Sequence, residues 1–294
     1  MRGRLDALIA TLLVGGCLVP ADAGAQTGRD WTPDEILSRT VNPSREHQLA
    51  AWPPHRIIGN IYYVGTRNLG SFLITTPDGH ILVNSTFEET LPLVRQSIEE
   101  LGFQVDDIRV ILGSHAHPDH MSGNALLKEW TGAEVMVMAA DLPLLEQMSP
   151  SGSPPLVDRV LEHEDVVRLG GTSLTALLTP GHTPGTTTWI LTAEDGPSRY
   201  DVVILGGGVS PRARLAGNPD VQAQFQRTFE IMRALDCDVP LGPHTPMYRM
   251  EEKYERLGDG PNPFIDPAVC EEEMWLQEQA FDLRLEEQRR QQRN

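Results

Sequence analysis

Seven residues, Ser114-His115-Ala116-His117-Pro118-Asp119-His120, restrict this chain more than any other stretch. They hold three of its nine histidines, with a carboxylate between the second and third. They follow the apolar run Val110-Ile111-Leu112, which reads as a buried strand, and Gly113, where that strand should end. A loop at a strand end has a rigid mount and an accessible position. Neutral imidazoles and a carboxylate are the donors that zinc and similar borderline metals take. Alternation along an extended loop aims two histidines at one ion and leaves the next pair for a neighbouring ion. A polar loop has no need of such density, so the stretch reads as a metal site.

Two ions require more donors than one loop carries. His182 lies in Thr179-Pro180-Gly181-His182-Thr183-Pro184-Gly185, directly after an apolar run over 174–178. His244 closes Leu241-Gly242-Pro243-His244, after another short apolar run. Glycine and proline on either side fix tight loops at both places. A single histidine so placed is more often structural; two of them, beside a three-histidine loop, read as ligands. His47, His55, His80 and His163 lack that setting and read as surface or loop residues.

Around these loops the chain alternates strand and helix signals. Residues 57–64, 71–75 and 80–84 read as strands of an antiparallel meander, the last two joined by the Pro77-Asp78-Gly79 turn. Leu91, Val94, Ile98 and Leu101 recur at helical spacing and stop at Gly102. Residues 109–112 and 134–138 read as strands, and 124–130 and 141–147 as short helices. The loop over 150–155 is of the kind that borders enzyme sites. Strand signals resume at 166–169, 173–178, 186–191, 202–205 and 238–241, with an amphipathic helix over 220–235. Asp266 caps a final helix that opens with Pro267, acidic at its start and basic at its end. Residues 27–55 show no period and are expected to wrap the surface. Strands with interleaved helices in both halves, undivided by repeat or linker, predict one α/β domain of four layers, two packed sheets with helices outside.

The N-terminus reads as an export leader. Arg2 and Arg4 precede an apolar run over 7–19, and Ala23-Gly24-Ala25 is a small-x-small cleavage site ahead of Gln26. The run is too short to span a hydrocarbon core of about 30 Å. Residues 1–25 are therefore read as a signal peptide and 26–294 as the domain, with the mature protein periplasmic or secreted. Val14-Gly15-Gly16 before Cys17 offers a lipoprotein anchor as the alternative. No other stretch is long enough for a transmembrane helix, so no stable membrane insertion is expected after leader removal. In an exported chain Cys237 and Cys270 read as a disulfide rather than two free thiols, and neither lies in a CxxC spacing. A net charge of −17 provides no basic face for nucleic acid.

The His115-x-His117-x-Asp119-His120 loop, the Gly181-His182-Thr183-Pro184-Gly185 segment and His244 resemble the metallo-β-lactamase superfamily over nearly the whole mature chain. Residues 179–185 with Trp189, Cys237-Asp238-Val239, and Asn262-Pro263-Phe264-Ile265-Asp266-Pro267 are most similar to the third subclass of class B β-lactamases. The resemblance implies an αββα sandwich with metals at one edge of the sheets and two zinc ions without a cysteine ligand. It implies that His115, His117 and His182 hold the first zinc, and Asp119, His120 and His244 the second. It further implies that the ring of a small-molecule β-lactam opens by attack of a zinc-bound hydroxide, oriented by Asp119 as the catalytic residue. Ser210 is the nearest counterpart of serines that hold the substrate carboxylate in that subclass, and Met121 is expected to narrow or reshape the pocket. Asn84 stands where an aspartate often supports the metal loop. Glyoxalase II and lactonase branches resemble the first loop but carry a bridging aspartate after a later strand, where this chain reads Leu205-Gly206-Gly207-Gly208-Val209. The alternative is a hydrolase of a lactone, ester or phosphoester with weak β-lactamase activity. A non-enzymatic metal-binding protein is a third reading, against which six intact ligands argue. The oligomeric state is left open.

Overall fold

The computed structural model describes residues 30–39, 44–148 and 156–293. Two short helices come first, α1 (Pro33–Arg39) and α2 (Arg45–Leu49), in the segment expected only to wrap the surface. The first sheet follows, with β1 (His55–Ile58), β2 (Ile61–Tyr63), β3 (Phe72–Thr76), β4 (Gly79–Val83), β5 (Ile108–Leu112), β6 (Glu134–Met138) and β7 (Arg159–Leu161) in that spatial order. Strands β1 to β4 pair antiparallel and β4 to β7 parallel. The crossovers that parallel pairing demands carry α3 (Leu91–Glu100), α4 (Pro118–Met121), α5 (Asn124–Thr131) and α6 (Leu142–Met148). The second sheet contains β8 (Val166–Leu169), β9 (Thr172–Leu178), β10 (Thr187–Asp195), β11 (Ser198–Ile204) and β12 (Val239–Leu241), ordered β12-β11-β10-β9-β8. Only β11 and β12 pair parallel there, and α7 (Pro219–Arg233) makes their crossover. Helices α8 (Met250–Glu255) and α9 (Pro267–Arg293) end the chain.

Side-chain alternation decides the layering. Phe72, Ile74, Ile81, Val83, Val110 and Leu112 of the first sheet share one buried cluster with Leu174, Ala176, Trp189, Leu191, Val202 and Ile204 of the second. Their alternates Leu73, Leu82, Ile111, Val135 and Val137 point the other way, into a cluster with residues of α3, α5 and α6. Both faces are therefore covered, which is why the central strands read as continuous apolar runs. On the far side of the second sheet, Phe225, Phe229 and Phe281 of α7 and α9 pack with ring centroids 5.6 to 6.1 Å apart. The result is the four-layer αββα sandwich read from the sequence.

Local departures have physical causes. The strand expected over 57–64 is broken into the β1–β2 hairpin by Gly59, at φ +53°, and Asn60. A Cβ on Gly59 would lie 2.9 Å from the Glu194 carbonyl oxygen, so only glycine fits. His80, expected at the surface, is buried and packs edge-on against Phe103. His55 is likewise buried, stacked among Tyr63, Tyr254 and Phe264. Both imidazoles serve as aromatic plates, a use that polarity does not announce. His47 is exposed, and His163 accepts the Leu178 N–H at 3.0 Å. Cys237 and Cys270 form a disulfide with Cα atoms 6.2 Å apart, tying the approach to β12 to the first turn of α9. No helix among the described residues is long and apolar enough to cross a membrane. The leader, Cys17 and the loop over 150–155 lie outside the described residues.

Candidate metal centre

The chain leaving β5 is held at three points. Trp189 Nε1, on β10, donates to the Gly113 carbonyl at 3.0 Å. Thr187 N donates to the Ser114 carbonyl at 2.7 Å, and Ser114 N donates to Asn84 Oδ1 at 2.8 Å. Asn84 has φ +66°, which asparagine tolerates better than most residues. Its Nδ2 donates to the Gly70 carbonyl at 3.1 Å. A carboxylate could accept from Ser114 but could not donate to Gly70, so the amide suits this place. The departure at position 84 keeps the support beneath the loop.

The second nitrogen of three rings reveals which atom is left for a metal. His115 Nδ1 faces the Gly206 carbonyl at 2.7 Å, His182 Nδ1 the Gly208 carbonyl at 2.7 Å, and His244 Nδ1 the Asn68 Oδ1 at 2.9 Å. An acceptor at Nδ1 assigns the proton there and leaves Nε2 as a lone-pair donor. His117 turns Nδ1 inward, 3.2 Å from His182 Nε2. Asp119 Oδ2 lies 3.5 Å from His120 Nε2 and 3.8 Å from His244 Nε2. Two groups result, His115/His117/His182 and Asp119/His120/His244, each with donor atoms within 4.8 Å of one another. The groups adjoin through the His115 and His120 rings, whose centroids are 4.4 Å apart.

Burial sets the charge state. It pushes His115 well below its ordinary pKa, His120 down to about 3 and His182 down to about 4. His244 and His117 are lowered by the same cause; at His117, Asp119 and Asp141 pull upward while Arg212 pushes further down. All five rings are thus neutral, the form that ligates. Burial alone would raise Asp119; attraction to His120 and His244, which acts when those rings are protonated, together with a backbone N–H outweighs that and holds the carboxylate below its usual range. Among the described residues, His115 Nε2 and both His120 nitrogens are buried without a hydrogen-bond partner. Each such orphan costs about 1–3 kcal/mol, a penalty that a cation drawn to the lone pairs removes. The residues fit two divalent metal ions.

Three supports escaped the sequence reading. Asp141, just after β6, is 2% exposed; Oδ2 accepts from Ala116 N at 2.7 Å and Thr183 Oγ1 at 2.9 Å, and Oδ1 from Gly185 N at 2.7 Å. It joins the β5 loop to the His182 loop. Burial nevertheless raises its pKa, against the lowering effect of those bonds. Asn68 orients His244, and Gln48 Nε2 donates to Asp119 Oδ2 at 3.3 Å. The signal available for Asp141 was an acid placed near the end of a buried strand.

The glycine segment is closely packed: Gly206 and Gly207 have no room for side chains, and at Gly208 the end of the Gln277 side chain would have to move. A Cβ on Gly206 would lie 2.6 Å from the Thr187 carbonyl, on Gly207 2.9 Å from the His182 ring, and on Gly208 2.6 Å from Gln277 Oε1. Gln277, on α9, accepts the Val209 N–H at 2.6 Å and so fixes the segment from behind. Ser210 follows, half-buried, its Oγ accepting the Arg212 N–H at 3.1 Å. Met121 does not shape a pocket as expected. It is 5% exposed and lies in the apolar cluster beneath the loop, against Gly113, because one turn of α4 carries it away from the face of Asp119.

Comparison with known proteins agrees with this geometry. The sequence profile of the metallo-β-lactamase superfamily matches residues 70–192. The native FEZ-1 metallo-β-lactamase from Legionella gormanii is 38% identical with a TM-score of 0.78, covering 84% of this chain and 99% of its own. BJP-1, a subclass B3 metallo-β-lactamase of Bradyrhizobium japonicum, is 36% identical with a TM-score of 0.78, covering 83% and 97%. A hydroxyacylglutathione hydrolase from Hyphomonas neptunium is 36% identical over 78 residues, 26% of this chain. The match spans 27% of the length of that curated relative.

Proposed function

This chain belongs to the metallo-β-lactamase superfamily and is a zinc-dependent hydrolase, and we propose that it is an exported di-zinc enzyme that opens β-lactam rings. One observation carries the reading. Among the described residues, the segment after β11 offers backbone carbonyls to His115 and His182 in place of a bridging carboxylate, and both ligand groups are free of cysteine.

Zinc bound here would act as a Lewis acid toward the lactam carbonyl and lower the pKa of a water to about 7. His115, His117 and His182 would hold one ion through Nε2, Nδ1 and Nε2. Asp119, His120 and His244 would hold the other through Oδ2, Nε2 and Nε2. The carbonyls of Gly206 and Gly208 and the Asn68 amide fix three rings in place, so little reorganisation is left for the reaction. Asp119 is held at Oδ2 by Gln48 and keeps its other oxygen to orient the attacking water. Export is supported by the Arg2-to-Ala25 pattern and by the disulfide, which belongs to an oxidising compartment.

Purified protein is expected to hold two zinc ions per chain; a single ion under zinc-replete conditions overturns the paired site. Asp119→Asn should keep most of the zinc yet lose about 100-fold in turnover, roughly 2.7 kcal/mol. A hydrolysis panel of a penicillin, a cephalosporin, a carbapenem, a lactone and a phosphodiester decides the substrate. Cleavage of the lactone or phosphodiester with every β-lactam intact would transfer the enzyme to the second reading, which the hydroxyacylglutathione hydrolase likeness favours.

A further inference from the structure

The rings of His115, His182 and His244 each have an oxygen beside Nδ1, and His117 has His182 beside its own. His120 differs from all four. Among the described residues neither of its ring nitrogens has a hydrogen bond, and the residue is fully buried. What fixes the direction of this imidazole lies in the main chain. The His120 carbonyl accepts the Thr86 N–H at 3.2 Å, and the Thr86 carbonyl accepts the Gly123 N–H at 3.1 Å. These two bonds, one in each sense, clamp α4 onto the turn that follows β4. The contact is close: a Cβ on Gly123 would lie 2.8 Å from the Ser85 carbonyl oxygen. Ser85 Oγ donates to Asn124 Oδ1 at 2.7 Å and ties the same turn to the start of α5.

Thr86 makes both bonds from an unusual backbone, with φ at +64° and no exposed surface. For a β-branched residue positive φ is strained, and such strain persists only where the surroundings over-determine it. Here the hydroxyl does so, donating to the Ser85 carbonyl at 2.6 Å and lying 2.7 Å from Thr90 Oγ1. Relaxing φ to the negative side would turn the Thr86 N–H and carbonyl relative to each other, and one bond of the clamp would be lost.

We infer that Thr86 is a positioning residue for the metal held by Asp119, His120 and His244, its left-handed backbone aiming His120 through the main chain in place of a ring partner. The inference rests on the paired-metal reading of the site. A ligand histidine is ordinarily oriented by a hydrogen bond to its other ring nitrogen. At His120 the carbonyl takes over that task, and the strain at Thr86 keeps the N–H that meets it in place.

Thr86→Gly and Thr86→Ala separate backbone from side chain, since both lose the hydroxyl and only glycine takes positive φ without cost. Zinc affinity at the second position, read by chelator competition, should fall about 10-fold in Thr86→Ala and by less than about threefold in Thr86→Gly. Thr86→Ser, which keeps the hydroxyl, should resemble the wild type. The first position should keep its affinity in all three, and urea unfolding of the metal-free variants checks that each is folded. Equal losses in Thr86→Ala and Thr86→Gly would assign the effect to the hydroxyl and overturn the inference. Amide hydrogen exchange tests the wild type without substitution: the Thr86 N–H should exchange slowly in zinc-loaded protein, and fast exchange would show the clamp open and refute it. A wild type that binds two zinc ions, with Thr86→Ala binding both as tightly, refutes the role of Thr86 and leaves the paired site standing. A wild type that binds only one removes the second position, and both fall together.

Discussion

At Asp141 a buried carboxylate accepts bonds from Ala116, Thr183 and Gly185, three residues on the two loops that carry His115, His117 and His182. Hydrogen bonds to a charged acceptor are worth about 1.5–3 kcal/mol each, but burying the charge costs several kcal/mol, so its larger effect should be on position. Asp141→Asn turns an NH2 group toward at least one of those donors. Zinc affinity should fall about 10–100-fold and unfolding free energy by about 1–3 kcal/mol, read by chelator competition and urea unfolding. Unchanged zinc affinity would remove the positioning role. The candidate ligands were legible because residue type and spacing both lie in the sequence. Their supports were not: Asn68 and His244 are 176 positions apart, and nothing local marks the pair. Met121 was misplaced for a related reason, since its direction depends on one turn of α4 that the loop-like composition of 118–121 conceals.

Among the elements, β6 and β8 coincide with their expected limits because apolar residues fill all but one position of each, Glu134 and Arg168 being the exceptions. β10 and β11 extend beyond expectation through a polar hairpin, Asp195 opposite Ser198, where pairing continues outside the core and leaves no hydrophobic trace. α7 begins at Pro219, capped by the Asn218 side chain, one residue before the apolar pattern announced it. The Cys237–Cys270 link, 33 residues apart, constrains the unfolded chain by about 3–4 kcal/mol in the loop-entropy account. Replacing both cysteines with serine should lower the unfolding free energy by that amount in urea. Protein recovered from the periplasm should begin at Gln26 and resist alkylation without reductant. Two reactive thiols in such material would count against both the link and the export reading.

For the molecule as a whole, the two sheets supply the ligands jointly. His115, His117, Asp119 and His120 follow β5 of the first sheet, while His182 and His244 follow β9 and β12 of the second. Bound metal therefore fastens the sandwich along one edge. Stripping it with a chelator should lower the urea midpoint, and zinc at 100 times its dissociation constant should restore about 2.7 kcal/mol. A midpoint indifferent to chelation would mean that the sheets are held without the metal. Without metal the buried nitrogens of His115 and His120 stay unsatisfied, which weakens this edge in the unloaded chain. Proteases act on what opens, so a chain that meets no zinc is cleared as well as idle. Zinc-poor surroundings would then reduce the amount of this enzyme along with its rate, making its abundance a gauge of the local zinc supply.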